Sequence, residues 1–439
     1  MSKSFCLIAS LCAVLCGHGL HAQNTDRRML SLDEMFRLAD ENSSSIKSYN
    51  TGKEAAAMAV KTAKAQRLPD ISASLSASYL GDGYLWDRDF SNGQTISMPH
   101  FGNNFALQAS MTVYSGGAIN SGIALAELGE QMAALDWQKN RQDIRFILTG
   151  YYLNLFKLEN QASVIEKNID LTKIVIKNME ARREQGSALK NDITRYELQL
   201  ENLKLQLTKV NDAKKIMNHQ LVTTLHLPSG TQIVPDTTLL TSDAVAGNEN
   251  EWQQKASTSN LSLQQSGLNV EMSRQKEKLE RSEMLPKIAV VAEEHLDGPI
   301  TIEVPVLDNN FNYWFVGIGV KYNISSLFKS NKKVKQARLQ TRQAMEQQTL
   351  AREQVENAVQ AAYTDYLTSF TELQTQKKKT ELARQNYDVT DNRYRNELAL
   401  LTDMLDASNT RLDAELGLVN ARIDVIYNYY KMKYLTHTL

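Results

Sequence analysis

Asp403 and Asp406 carry the clearest chemistry in this chain. Their separation of three puts both carboxylates on one face of a helix. The plain reading is a helix start, because acids in a first turn complement the helix dipole by about 0.3–1 kcal/mol each. Repeated around a symmetry axis, the same pair would make an acidic ring that repels itself unless cations bind or its pKa values rise. Little else in the sequence is reactive. His18, His21, His100, His219, His226, His295 and His437 form no metal-ligand spacing, and there is no phosphate loop, nucleophile elbow or HExxH. The chain reads as a non-enzyme without cofactor.

Composition narrows the setting. The net charge of −1 gives no reason to expect nucleic acid as a partner. Cys6, Cys12 and Cys16 all fall in a stretch where Lys3 precedes an apolar run, Phe5 to Cys16, followed by Leu20-His-Ala22. That pattern predicts a secretory signal peptide over 1–22, leaving a mature chain without cysteine. Leu15 is too bulky for lipoprotein processing before Cys16. No run of about 18 apolar residues occurs, so no transmembrane helix is predicted.

The elements that must position the acids are long. With 7 prolines, 20 glycines and 23% charged residues in 439, long helices are favoured over many loops. A helix is expected from Leu32 to Arg67, opened by a capping box of Ser31 and Glu34 and stopped by Leu68-Pro69. Ile71 to Tyr79 alternates apolar residues with four serines, and Phe105 to Tyr114 alternates likewise, so two strands flank a loop from Gly81 to Asn104. The serine face is either the wet side of a sheet or the wall of a polar lumen. From Ala118 to about Gln185 apolar residues recur at helical spacing, which makes a rod of roughly 100 Å. A shorter helix follows from Asp192 to His226.

The second half repeats the first. Leu285-Pro-Lys-Ile288 parallels Leu68-Pro-Asp-Ile71 at an offset of 217, and Thr402-Asp403-Met404 parallels Asn191-Asp192-Ile193 at 211. Offsets this close indicate duplication. A helix from Glu251 to Glu283, strands at Ile288 to Leu296 and Tyr313 to Ser325, a rod from Lys332 to Asn396 and a last helix after 397–401 complete the second copy. The expected organisation is a first repeat over 23–226, an equatorial linker over 227–250 and a second repeat over 251–439. Each chain then offers four strands carrying apolar residues and aromatics such as Tyr79, Phe105, Trp314 and Tyr322. An open sheet edge in lipid leaves backbone groups unsatisfied, so several chains must combine to close a barrel.

The duplicated Leu-Pro-x-Ile, the strand-to-rod junction Tyr114-Ser-Gly-Gly117, and Arg393-Tyr394 leading to Asp403-Met-Leu-Asp406 together resemble the outer-membrane efflux protein family of TolC-like channels. The resemblance implies a mainly α fold with a small β part: duplicated strand hairpins and long antiparallel helices. Three such chains would form a homotrimeric twelve-stranded β-barrel in the outer membrane, continued by an α-helical periplasmic tunnel. It further implies a passive conduit in a tripartite efflux or type I secretion system. Its partners would be outer-membrane lipid, a periplasmic adaptor protein and an inner-membrane transporter. Asp403 and Asp406 match a constricted acidic gate at the periplasmic tip. Asp192 and Tyr394 match a pair that links neighbouring helices and holds the tip closed; ordinary interhelical packing for Tyr394 and an N-cap for Asp192 are the alternative. The basic residue that assists such a lock is missing, since Ala399 stands at its place. A soluble coiled-coil scaffold and a stand-alone diffusion porin are competing readings, but the first leaves the serine-backed strands unexplained and the second needs more strands.

Overall fold

The computed structural model describes residues 27–186, 189–236, 247–303, 306–396 and 398–439; the expected signal peptide lies outside them. In chain order the elements are β1 (Arg27–Leu30), α1 (Leu32–Asn42), α2 (Ser44–Ala65), β2 (Asp70–Tyr79), β3 (Gly83–Leu85), β4 (Gln94–Ile96), β5 (Phe101–Tyr114), α3 (Ala118–Glu184) and α4 (Lys190–Thr224). Then come β6 (Gln232–Pro235), α5 (Glu249–Ser259), α6 (Leu261–Ser282), β7 (Lys287–Gly298), β8 (Phe311–Lys321), α7 (Ser326–Arg395) and α8 (Leu401–Leu435). The two rods are unbroken helices of 67 and 70 residues.

Several elements depart from the sequence expectation. The helix expected from Leu32 to Arg67 is broken at Ser43, which turns to ψ 122° with its N–H still bonded to Ala39 O. The same break recurs 217 residues later at buried Asn260, where ψ is 118° and Nδ2 donates to Leu435 O. Neither site is a proline or glycine, so the sequence carried no breaker signal. The second rod begins at Ser326, six residues before expectation, and β8 stops at Lys321 instead of Ser325. Its first turns bury Ser326, Ser330, Val334 and Ala337 and expose Leu327 and Phe328, which hides the helical period from a search for large apolar residues.

The chain forms two compact units, each assembled from both halves of the sequence. The unit of residues 49–137 and 261–353 holds a four-stranded antiparallel sheet in the order β2-β5-β7-β8. Its register puts Ile71, Leu75 and Tyr79 on one face with Phe105, Leu107 and Met111, Val290 and Ala292, and Trp314, Val316 and Ile318. Three of the four aromatics singled out in the sequence, Tyr79, Phe105 and Trp314, therefore share that face, and Tyr322 follows β8 directly. The face is bare: Leu75 is 80% exposed, Trp314 72% and Ile318 74%. Glu294 interrupts it, accepting a hydrogen bond from Asn312 at 3.4 Å. The opposite face carries Ser72, Ser74, Ser76 and Ser78 with Gln108, Glu293, His295 and Asp297. There the His295 ring stacks on Tyr313 at 5.0 Å, and its Nε2 lies 3.0 Å from Glu293. Among the described residues neither β2 nor β8 has a partner on its outer edge.

The other unit comprises residues 1–48, 138–260 and 354–439, of which those before 27 are not described. Its core packs Leu30, Met35, Leu148, Tyr152, Leu221, Leu225 and Ile426. A parallel pair of short strands, β1 and β6, closes it. Tyr152 fastens the pair: its hydroxyl donates to Leu30 O and accepts from Asp236 N–H, each at 2.7 Å. Asp40 lies nearby on α1, accepting from Arg141 Nη2 at 2.6 Å and from Arg145 Nη2 at 2.5 Å. Burial alone would raise the Asp40 carboxyl, but the hydrogen bonds and charges of Arg141 and Arg145 outweigh it and hold its pKa below the usual value.

Candidate functional site

Within that second unit the ends of four helices converge at a tip. Glu184 ends α3, and Gly186 adopts φ 77° beyond it, a conformation glycine takes without a Cβ penalty. Leu189 then caps α4, as Leu400 caps α8, again 211 residues apart. Met179, Ile193, Tyr196, Leu401 and Met404 are buried together, with Tyr387 and Tyr394 against them. Beside this cluster is a cavity of about 280 Å³ lined by Arg182, Tyr196, Asp391, Tyr394, Arg395 and Met404 among others.

The sequence-predicted residues fall in three situations. Tyr394 packs on the cluster, and burial pushes its hydroxyl pKa up, with the charge of Asp192 adding to the rise and that of Arg182 opposing it. Asp192 and Tyr394 are thus brought within electrostatic reach. Asp192 is not the N-cap of α4: that position is Leu189, and Asp192 sits three residues inside without a side-chain capping bond. Asp403 does serve its own helix, accepting the Leu400 N–H at 3.1 Å. Asp403 and Asp406 are both exposed, on the side of α8 away from buried Leu401, Met404 and Ala407.

Sequence reasoning missed three groups. A cation does reach Tyr394, but from the far side of the turn: the Arg182 guanidinium lies 5.9 Å from the ring centroid. Tyr387 is covered by Arg411 at 3.7 Å; burial raises its pKa, which the Arg411 charge opposes. Tyr196 is buried to 2%, and burial, reinforced by Tyr394, Tyr387 and Asp391, raises its pKa. The seven-residue spacing of Tyr387 and Tyr394 was the signal that could have found the cluster. No group of three His, Cys, Asp or Glu able to hold a metal occurs among the described residues. What the tip can do is separate or hold four helix ends through contacts that are aromatic, cationic and acidic.

The fold is two strand hairpins, each leading into a long helix, with one face of the sheet apolar and bare. Residues 252–429 match the outer membrane efflux protein family. The chain is 25% identical over 190 residues to the outer membrane protein TolC of Salmonella enteritidis, a match spanning 42% of this chain and 39% of that relative's length. In fold it is similar to the outer membrane protein VceC of Vibrio cholerae, with TM-score 0.76 and 12% identity over 92% of this chain and 95% of that one. It is similar too to the CmeC outer membrane channel of Campylobacter jejuni, with TM-score 0.75 and 14% identity over 92% and 85%. Residues 252–429 thus resemble the outer membrane efflux protein family, and the described chain shares the fold of solved outer membrane proteins; it spans well under half the length of the curated relative it matches.

Proposed function

We propose that three copies of this chain close a twelve-stranded barrel and a helical tunnel, a passive conduit of a tripartite efflux or type I secretion system. One observation carries the reading: an open four-stranded sheet that bares an apolar face and leaves both edge strands unpaired among the described residues. Water penalises the bare face, and lipid penalises the open edges. Joining β8 of one copy to β2 of the next relieves both, and the serine, Glu293 and Asp297 face then lines a polar lumen. A soluble scaffold has no use for Leu75, Trp314 and Ile318 standing in solvent. The adaptor and inner-membrane transporter are proposed on the family resemblance.

At the tip, Asp403 and Asp406 would form an acidic ring, and Asp192 with Tyr394 would link neighbouring helices in the closed state. Exposure of both ring carboxylates favours a cation-sensitive entrance. In planar bilayers the purified protein should conduct as a trimer and be blocked by multivalent cations, and D403A/D406A should abolish the block. A monomer without conductance would sink the channel reading; conductance with unchanged block in the variant would sink the ring alone.

A further inference from the structure

The rods join the sheet at one end only: α2 leads into β2, β5 into α3, α6 into β7 and β8 into α7. At that end the apolar face finishes in exposed Ile71, Tyr114 and Val320, and basic side chains crowd the helix ends. Arg67, Lys278, Arg281, Lys329, Lys332 and Lys333 are all exposed there. A cleft of about 400 Å³ opens among them, lined by Lys278, Arg281, Gln275, Asn120 and the backbone of Gly116 and Gly117.

Its charges do not cancel. Glu277 is shared by Arg281 Nη2 at 2.6 Å and Arg338 Nε at 3.5 Å, and Arg67 Nη2 donates to Asn120 Oδ1 at 2.9 Å. Lys278 has no carboxylate or hydrogen-bond partner among the described residues. An excess of cations beneath an apolar, aromatic-edged face matches the boundary between phosphates and acyl chains.

We propose that this cleft seats the phosphate of an anionic phospholipid in the leaflet facing the rods, with the acyl chains on the apolar face of the sheet. The inference rests on that face being covered by lipid, and a separate readout tests that. In neutral phosphatidylcholine vesicles, brominated acyl chains should quench fluorescence in the full-length protein and not in W314F; failure there overturns the membrane reading itself. The cleft is tested in vesicles of equal phosphatidylglycerol and phosphatidylcholine, by extracting the protein in mild detergent and counting retained lipids by mass spectrometry. The unaltered protein should retain phosphatidylglycerol in excess, by about fivefold for each engaged cation. K278E should lose most of that excess, K278R should keep it, and surplus inorganic phosphate should leave it unchanged. Quenching by brominated chains together with a bulk lipid ratio, with K278E retaining like the unaltered protein, or with displacement by phosphate overturns the lipid site.

Discussion

Replacing Tyr196 by phenylalanine should tighten the tip. The ring packs with Met179, Ile193, Leu401 and Met404, and the side chain is 2% exposed. Its hydroxyl makes no hydrogen bond among the described residues. A buried hydroxyl left unpaired costs about 1–3 kcal/mol, and phenylalanine removes that cost while keeping the ring contacts. Taking the low end, ~1 kcal/mol, the closed packing gains about fivefold over any state in which Tyr196 meets water.

Two assays read this. Denaturant unfolding should show Y196F more stable by about 1 kcal/mol. If the helix ends must part for conduction, single-channel open probability should fall by about fivefold. Y394F makes the opposing control, because it removes the hydroxyl that Asp192 acts on while leaving the ring to Arg182; its open probability should rise. A Y196F protein that is less stable or opens more often would refute the reasoning, because it would mean that the hydroxyl is bonded in the native tip.

Two further substitutions test the scaffold. D40N should cost about 1–3 kcal/mol at neutral pH, less than the ~3–5 kcal/mol of a fully buried pair, since Asp40, Arg141 and Arg145 keep 22%, 37% and 16% of their side chains exposed. Because the folded Asp40 pKa is depressed, its contribution is complete above the unfolded carboxylate value of about 3.9 and fades as pH falls towards the folded one. Denaturation midpoints of the two proteins should therefore converge in acid and differ at pH ~7; a gap independent of pH refutes the assignment. At the strand-to-rod junction, a Cβ on Gly116 would stand 2.8 Å from both Leu285 Cβ and Ser282 O, whereas one on Gly117 meets nothing within 4 Å. Both glycines have positive φ, so G117A should cost about 1–2 kcal/mol and G116A clearly more, as thermal melts would show. Equal losses would mean that the junction gives way.

What was legible in the sequence follows from range. The first rod and the strands β2 and β5 declare themselves through period, because each buries or bares one face along its whole length. β1 and β6 do not: they are four residues each, about 200 apart in sequence, and held by a Tyr152 hydroxyl that no local pattern reveals. The breaks at Ser43 and Asn260 were hidden because the polar side chains that occupy them are ordinary on helix surfaces. At the tip, Tyr394 and Asp192 were found by their place in a motif, whereas Arg182, Tyr196 and Tyr387 gain their meaning only when helices distant in sequence meet.

The duplication itself explains why Asp192 is the more informative half of the pair of helix starts. Asp192 and Asp403 hold the same position in twin helices, each with its N–H bonded 3.1 Å from the carbonyl of the capping leucine, Leu189 or Leu400. Local energetics should therefore treat the two carboxylates alike. They are not alike: Asp403 accepts from its own Leu400 N–H, and no corresponding bond from Leu189 to Asp192 occurs among the described residues. A bond to the helix start is worth about 0.5–2 kcal/mol, so leaving it unmade needs a competing attraction of that order. Tyr394, half-buried and with its pKa raised by burial and then by the Asp192 charge, is the partner proposed above. On the lock proposed above, one copy of the repeated turn keeps its acid for the helix and the other offers it to the neighbouring rod.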